Sequence, residues 1–537
     1  MDVDVKTLPE DVSLLQQMIR ELLELLHTTQ RKNEQLEYRL DQLLRRLYGR
    51  RSERIDPSQL ALFEELIGEA IEAEPAEGEA PAETAAPKRR GHGRRKLPKN
   101  LPRQREVIDV SPEEKICPCC GKEKDLIGEE VSEQLDYIPA SVYVREIVRL
   151  KYACRACEEG VVTADKPRQP IEKGLPGPGM LAQVITSKYC DHLPLHRQEG
   201  IFCRFGVHLP RSTLCGWMGQ GAELLTPLYD AAVAEVLCSK VIGTDDTPVK
   251  VQDPERKGTL RTGRIWVYVG DEAHPYTVYD YTSSRSRDGP VAFLGDYEGY
   301  LQADAFAGYD GIYAGEKVRE LLCWAHARRK FYDAQDSDAE RALVALGYIR
   351  SLYKVEAEAK EFFAVQGDVE GAEALSATRA SQRSAASQSS IRLRLRQEES
   401  VPILDKFEKW MREQTSGTAA GGVVLPKSPM GTAIDYCLSN WEALKRYTQD
   451  GDLPIDNNAS ERALRGIAVG RKNWLFFGSD NGGRTAAVLF SLVASAKRHG
   501  LDPFAYLRDV IGRISDHPAS RIADLLPDRW APAAPAD

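Results

Sequence analysis

Aliphatic residues recur at seven-residue intervals through residues 8–47. Leu8, Leu15, Leu22, Thr29, Leu36 and Leu43 form one column, and Val12, Ile19, Leu26, Asn33, Leu40 and Leu47 form a second. Two such columns make the seam of a coiled coil. Branched residues early in one column, Leu through most of the other and a lone register-fixing Asn33 suit a parallel two-stranded form. The same stripe also suits an amphipathic helix packed on its own core. The pattern predicts an oligomerisation helix over residues 8–48 and a homo-oligomer, in the simplest case a dimer.

Helical periodicity returns near residue 180. Leu181 to Cys190, Leu195 to Phe205 and Arg211 to Met218 read as helices, the last two separated by Gly206-Val207-His208-Leu209. That is helix-turn-helix spacing, in which Arg211, Ser212 and Thr213 would offer a first helical turn to base edges or phosphates in the major groove. Plain helix packing accounts for it equally well. From Lys240 the pattern becomes extended: Val241 to Val251, Ile265 to Asp271 and Tyr276 to Tyr281 read as three consecutive antiparallel strands. A helix at Pro290 to Leu294, a strand at Tyr300 to Ala305, a short helix and a strand at Leu321 to Trp324 complete a β-β-β-α-β-α-β order. This order predicts a ribonuclease H-like fold.

Length and composition widen this picture. The 537 residues exceed what one hydrophobic core usually supports. With 42% apolar and 28% charged residues the chain has the balance of a water-soluble globular protein. The longest uncharged apolar stretch, Ala486 to Ala496, is too short for a bilayer, and the N-terminus is acidic where a signal peptide would be basic and apolar. The expectation is a cytoplasmic, nucleoid-associated protein with no membrane partner. The net charge of -9 conceals segregation. Residues 63–87 carry eight Glu and no Lys or Arg, whereas residues 88–105 carry nine Lys or Arg and no acid. The first stretch reads as a flexible acidic linker. The second, with Arg89, Arg90, Arg94, Arg95 and Lys96 around Gly-His-Gly, reads either as an arm that enters a narrow minor groove or as a solvated tail that touches phosphates without selectivity.

Four of the eleven cysteines form two Cys-x-x-Cys pairs, Cys117 with Cys120 and Cys154 with Cys157, separated by strand-like sequence. Two knuckles joined by hairpin strands describe a zinc ribbon. Four thiolates would close one structural Zn²⁺ site and leave no position for catalytic water. Cys119 sits between ligands as a spare or as an ambiguity of register.

The chemistry-bearing acids lie further on. The first strand of the expected sheet ends in Asp245-Asp246 and the fourth ends at Asp304. Side-by-side carboxylates are costly without cations and explicable if metal ions fill the gap. A third acid, Glu461, follows Asp456 or Asn457 as helix cap in Ile455-Asp456-Asn457-Asn458-Ala459-Ser460-Glu461-Arg462. Hard oxygen ligands with open water positions suit two Mg²⁺ or Mn²⁺ ions. Turn or cap roles for these acids remain an alternative on spacing alone. Between Asp304 and Glu461 lie 156 residues, too many for a loop, so a helical insertion is implied. Cys323 and His326 read as a metal pair or as a buried strand-to-helix junction. Beyond them Arg328, Arg329 and Lys330 would face phosphates. After Glu461, the cations Arg462, Arg465, Arg471 and Lys472 with Trp474, Phe476 and Phe477 combine phosphate donors with stacking surfaces; a core strand is the other reading of the phenylalanines.

The strings Asp-Asp-Thr-Pro-Val-Lys-Val at Asp245, Leu-Gln-Ala-Asp-Ala-Phe-Ala-Gly-Tyr around Asp304, Cys-Trp-Ala-His-Ala-Arg-Arg-Lys-Phe at Cys323 and Asp-Asn-Asn-Ala-Ser-Glu-Arg before Gly-Arg-Lys-Asn-Trp-Leu-Phe-Phe-Gly-Ser resemble the transposases of the insertion sequence 66 family over nearly the whole chain. The resemblance implies a DDE-type transposase acting on double-stranded DNA at terminal repeats and target. Its catalytic acids would be at the positions of Asp245, Asp304 and Glu461, with accessory proteins of the same element as possible partners. It also suggests DNA contacts by Arg379, Arg383, Arg392, Arg394 and Arg396 in the insertion. The family usually reads Asp-Glu-Thr where this chain has Asp245-Asp246-Thr247, which leaves the role of Asp246 in question. A catalytically inactive, transposase-derived DNA-binding regulator is the rival reading.

The expected architecture is therefore α+β and multidomain: coiled coil (8–48), acidic linker and basic arm (63–105), zinc ribbon (106–165), helix-turn-helix-like helices (175–235), a ribonuclease H-like core in two parts (240–330 and 451–515) and a helical insertion (331–450).

Overall fold

The computed structural model describes residues 142–148, 151–152, 162–163, 168–172, 174–256, 258–315, 317–367, 388–416 and 423–532. The chain divides after Gly78 into two units, and every described residue belongs to the second. The heptad segment, the linker and basic arm, the four paired cysteines, Arg379 and Arg383 lie outside the described residues. Close to the second cysteine pair in sequence, β1 (Lys151–Tyr152) pairs antiparallel with β2 (Val162–Thr163).

Three helices precede the sheet: α1 (Pro178–Tyr189), α2 (Leu195–Arg204) and α3 (Arg211–Leu237). The third runs well past the expected Met218. Leu214, Trp217, Met218, Gly221, Leu225, Leu228, Ala232 and Val236 keep a three-to-four-residue spacing and are all buried, so the stripe carries the helix through Pro227. Arg211 stands exposed at its first turn.

The sheet has five strands in the order β5-β4-β3-β6-β7. Strands β3 (Val241–Gln252), β4 (Leu260–Val269) and β5 (Thr277–Thr282) form an antiparallel meander. Strands β6 (Gly299–Ala303) and β7 (Val318–Leu322) extend the other side in parallel, reached through α4 (Asp288–Leu294) and α5 (Asp310–Tyr313). Edge strand β5 is covered by α12 (Asp480–Arg498). The backbone N–H of Tyr279 donates to Ser491 Oγ at 2.8 Å and that of Thr277 to Ser495 Oγ at 3.2 Å. Two buried serines one turn apart thus satisfy edge groups that would otherwise invite pairing with another chain.

Between β7 and the chain's return lies a helical body with its own core: α6 (Trp324–Asp333), α7 (Ala339–Gly367), a helix at residues 388–395 that passes through a π-turn (Arg396–Ser400) into α8 (Val401–Ser416), then α9 (Pro429–Ser439) and α10 (Trp441–Lys445). Phe407 lies at its centre, with ring centroids of Trp324, Phe331 and Trp441 at 6.3, 5.9 and 6.2 Å. Arg396 overturns the expectation of a DNA contact. It is 1% exposed, its Nε and Nη2 donate to the two Glu356 oxygens at 2.7 and 2.8 Å, and its Nη1 donates to the carbonyls of Tyr447 and Asp450. Arg392 donates to the Gly451 carbonyl, while Arg394 is exposed.

The chain returns to the sheet as α11 (Asn458–Trp474), and α12 is followed by α13 (Pro503–Arg513) and a 3-10 segment at Ala519–Leu525. Leu475 follows α11 at φ +66° and ψ −51°, and the Phe476 N–H closes a γ-turn on the Trp474 carbonyl at 2.8 Å, a strained geometry for a residue other than glycine. The turn divides the two readings of the phenylalanines. Phe477 is buried, bridges in parallel to Val251 and stacks on Trp474 at 4.5 Å; Phe476 is 43% exposed.

Replacing one partner of a buried charge pair strands the other. Glu356→Gln is expected to cost about 3–5 kcal/mol, read as a lowered midpoint in urea unfolding; an unchanged midpoint would show that the Arg396 contacts are energetically idle.

Candidate active site at the junction of β3, β6 and α11

The first turn of α11 lies directly on β3. A Cβ at Gly243 would come within 2.7 Å of both Asn457 Oδ1 and Ser460 Oγ, so only glycine admits the helix there. Asn457 is 2% exposed. Its Nδ2 donates to the Thr244 carbonyl at 2.7 Å and its backbone N–H to Cys323 Sγ at 3.1 Å. The preceding loop is laced to the sheet as well: Trp324 N–H donates to the Ile455 carbonyl and Gln302 Nε2 to that of Pro454. Asn457 occupies the cap position, yet the capping oxygen comes from Asp456, whose Oδ1 accepts the Asn458 N–H at 3.1 Å while its Oδ2 accepts the Tyr353 hydroxyl at 2.9 Å. These ties place Glu461 in the first turn beside β3.

Register supplies the other two acids. Gly243 is level with Gln302 across the parallel β3–β6 pair. Two further steps of that register bring Asp245 level with Asp304, just past the end of β6, on strands about 4.8 Å apart. Burial pushes the Asp245 carboxyl up to about 7, and the charges of Asp304, Asp246 and Glu461 push it the same way, against the pull of the Asp246 N–H, which donates to Asp245 Oδ1 at 2.7 Å. The structure therefore brings Asp304 and Glu461 each within electrostatic reach of Asp245. Neighbouring carboxylates that raise the cost of ionising Asp245 fit a divalent cation, and carboxylate oxygens are the hard ligands that Mg²⁺ and Mn²⁺ take.

Neighbouring acids on one strand have opposite surroundings, because successive side chains leave opposite faces. Asp245 lies with Gly243 and Thr247 on the face that receives α11. The Asp246 side chain is 2% exposed and accepts from Arg264 Nη1 at 2.8 Å and from Arg285 Nε at 2.9 Å. Arg285 also lies 3.8 Å from Asp304 Oδ2 and covers the Phe306 ring at 3.8 Å. Asp246 is thus an anchor for two arginines. Neither Arg264 nor Arg285 stood out in the sequence; the turn holding Arg285, Ser-Ser-Arg-Ser-Arg-Asp, looks like any solvated loop.

The expected cations separate. Arg462, Arg465 and Lys472 on α11, Arg329 on α6 and Arg211 on α3 are exposed. Arg471 is engaged with the protein itself, its Nη1 donating to Thr247 Oγ1 at 2.7 Å and the Pro248 carbonyl at 2.8 Å. Lys330 covers the Tyr436 ring at 4.5 Å, and Arg328 is half-buried and partnered. Cys323 is fully buried at the cap of α6, its thiol pushed up to about 12 by burial, as a strand-to-helix junction would have it. His326 on the same helix has Nε2 3.7 Å from Glu461 Oε1.

Comparison with known families identifies relatives along most of the chain. The family model described as Transposase IS66 family matches residues 173–485, which contain the sheet, the helical body and all three acids. The zinc-finger binding domain of transposase IS66 matches residues 114–158, the IS66 C-terminal element residues 491–527, and the model described as Transposase C of IS166 homeodomain residues 35–105. Among curated proteins, the uncharacterized protein y4hP of Sinorhizobium fredii (strain NBRC 101917 / NGR234) is 34% identical over 522 residues, covering 93% of this chain and 89% of its own length. The uncharacterized protein y4qI of the same organism is 34% identical, covering 92% and 88%.

Ionising Asp245 in the folded protein costs more than in the unfolded chain, so the folded state holds the extra proton between the ordinary carboxylate range and pH 7. Stability without metal should therefore fall as pH rises from about 4 to about 7 and level off above. In Asp245→Asn that fall should shrink, leaving the metal-free variant more stable at pH 8 by on the order of 1–3 kcal/mol, and added Mg²⁺ should stabilise it less than the wild type. Urea unfolding across pH in chelator and in Mg²⁺ measures both effects; parallel pH curves for the two proteins would contradict the burial of this charge.

Proposed function

The chain belongs to the Transposase IS66 family, and on that premise we propose that it is a DDE-type transposase, cutting DNA at transposon ends and joining the freed 3′-hydroxyl to target DNA. The observation that carries this reading is the placement of three acids from separate elements around one end of the sheet: Asp245 on β3, Asp304 level with it just past β6, and Glu461 in the first turn of the helix packed on β3, 157 positions further on, with the charges of the last two acting on the buried Asp245 carboxyl. The strand order and the mixed pairing of the sheet support a ribonuclease H-like core.

In this reading Asp245, Asp304 and Glu461 hold two Mg²⁺ or Mn²⁺ ions, which would lower the pKa of the attacking water or 3′-hydroxyl and neutralise the leaving oxygen. The chain's own work is positional. Asn457 keeps Glu461 against β3. Asp246 holds Arg285 beside Asp304, where its free N–H groups can meet a non-bridging phosphate oxygen; a two-carbon acid side chain suffices for that anchor, which gives Asp246 a role although the family usually has Glu. Arg462, Arg465, Lys472, Arg329 and Arg211 are available to the DNA backbone. Cys117, Cys120, Cys154 and Cys157 would hold one structural Zn²⁺ within residues 106–165, and the helix at 8–48 would pair two copies.

Among the described residues, no helix is long and apolar enough to cross a membrane. Action in the cytoplasm, on the nucleoid, accords with a DNA substrate. A DNA-binding regulator descended from a transposase would have no reason to keep three converging acids.

Nicking and strand transfer on DNA carrying the element's own terminal repeats, with Mg²⁺, test the proposal. Asp304→Asn and Glu461→Gln should each lose at least about a thousandfold in rate while still shifting the end-containing DNA in a gel. Full strand transfer by either variant would refute the assignment.

A further inference from the structure

Glu461 faces a second set of donors that the two-ion chemistry does not use. Cys323 Sγ, a ring nitrogen of His326 and a carboxylate oxygen of Glu461 all lie within 4.8 Å of one another. Cys323 and His326 are held by the cap and first turn of α6, and Glu461 comes from the first turn of α11, so two separately anchored elements converge on one point. The 3.7 Å between His326 Nε2 and Glu461 Oε1 is too long for a hydrogen bond. His326 Nδ1 is buried with no hydrogen-bond partner, so the ring is held in place without its polar atoms being satisfied. Ligand atoms sharing one tetrahedral zinc stand about 3.3–3.8 Å apart, given metal–ligand distances of ~2.0–2.3 Å. Modest side-chain motion closes the remaining gap.

We propose that Cys323, His326 and Glu461 form a site for one borderline-soft divalent ion, of the Zn²⁺ or Co²⁺ class, with its fourth position open to water. Sulfur and imidazole nitrogen favour such ions over Mg²⁺, which demands oxygen and octahedral geometry. The buried thiol gives up its proton on binding, and that proton leaves to solvent, so a metal of thiol-binding strength is needed. Resting on the transposase reading, a second consequence follows. An ion held by Cys323 and His326 competes for the Glu461 carboxylate and draws it away from Asp245 and Asp304. Zinc at this site switches strand cleavage off.

The test uses the full-length chain with its four paired cysteines intact. After equilibration with micromolar free Zn²⁺ and gel filtration, the wild type should carry one zinc more per chain than His326→Gln or Cys323→Ser, the latter chosen because serine preserves an acceptor for the Asn457 N–H. With Co²⁺ the wild type should show a thiolate-to-cobalt absorption band in excess of that of Cys323→Ser. Matched thermal unfolding of the metal-free proteins establishes that the variants fold. Equal zinc content in all three proteins overturns the site. In nicking assays with excess Mg²⁺, micromolar Zn²⁺ should slow the wild type at least tenfold and leave His326→Gln within about twofold of its own zinc-free rate; equal inhibition of both overturns the switch. Failure of the wild type to nick at all would refute the transposase reading instead, and the difference in zinc content would still decide the site.

Discussion

Where the first turn of α11 meets β3, the absence of a side chain at Gly243 lets Asn457 and Ser460 approach the strand to contact distance. The space would have little value if the helix were free to slide. Asn457 prevents that by spending its side-chain N–H on a β3 carbonyl and its backbone N–H on the buried sulfur of Cys323, so strand, helix and the start of the helical body are joined through one residue. Arg471 repeats the attachment about four turns later, on Thr247 and Pro248, and Phe477 completes it with a parallel bridge to Val251 of β3. Held at both ends, α11 has one position relative to Asp245. The location of the third acid is therefore a property of β3.

Electrostatic cost is concentrated on one face of that strand and relieved on the other. Asp246, nearly inaccessible, is answered by two guanidinium groups, the usual condition for a charge to be buried at all. Asp245, one residue earlier, has carboxylates as neighbours and a raised pKa. A protein built for stability alone would have reversed or neutralised such a cluster. Its persistence beside a well-compensated ion pair, on the same strand, distinguishes a site that awaits cations from one that has its own.

Much of this could be read from the chain before any coordinates. The alternation of Val241 to Val251, the short turns and the strands near residues 300 and 320 are local signals, and their order predicts the sheet because hydrophobic period and turn chemistry act over a few residues. Asp304 and Glu461 sit where element ends were expected, just past β6 and in the first turn of α11, whereas Asp245, expected at the end of the first strand, lies inside β3, which runs on to Gln252 because its pairing with β4 continues after its pairing with β6 stops. What stayed hidden depends on contacts across long separations. Arg285 and Arg264 are identified only by the buried Asp246 they share, and Arg396, within a stretch of Ala, Ser, Arg and Gln, looks solvated until Glu356 and the carbonyls at 447 and 450 close around it. The length of α3 was underestimated because its reading stopped at Met218, although the buried stripe continues through Pro227 to Val236.

The helical body between β7 and α11 raises the question of how a large insertion leaves a site with tight tolerances undisturbed. Its aromatic core around Phe407 is distinct from the core beneath β3 to β5 and meets the sheet at Val241, Leu321 and Leu322, so most of its packing lies away from the acids. What must not vary is the pair of points where it joins. At the exit, Trp324 donates its backbone N–H to Ile455 and its indole N–H to Leu444, tying the start of the insertion to its end. On the return, Arg396 grips the carbonyls of Tyr447 and Asp450 just before the chain turns toward Asn457. Exit and return are thereby held together by hydrogen bonds from within the insertion. The 156 residues separating Asp304 from Glu461 then behave, as far as the acids are concerned, like a short closed connection.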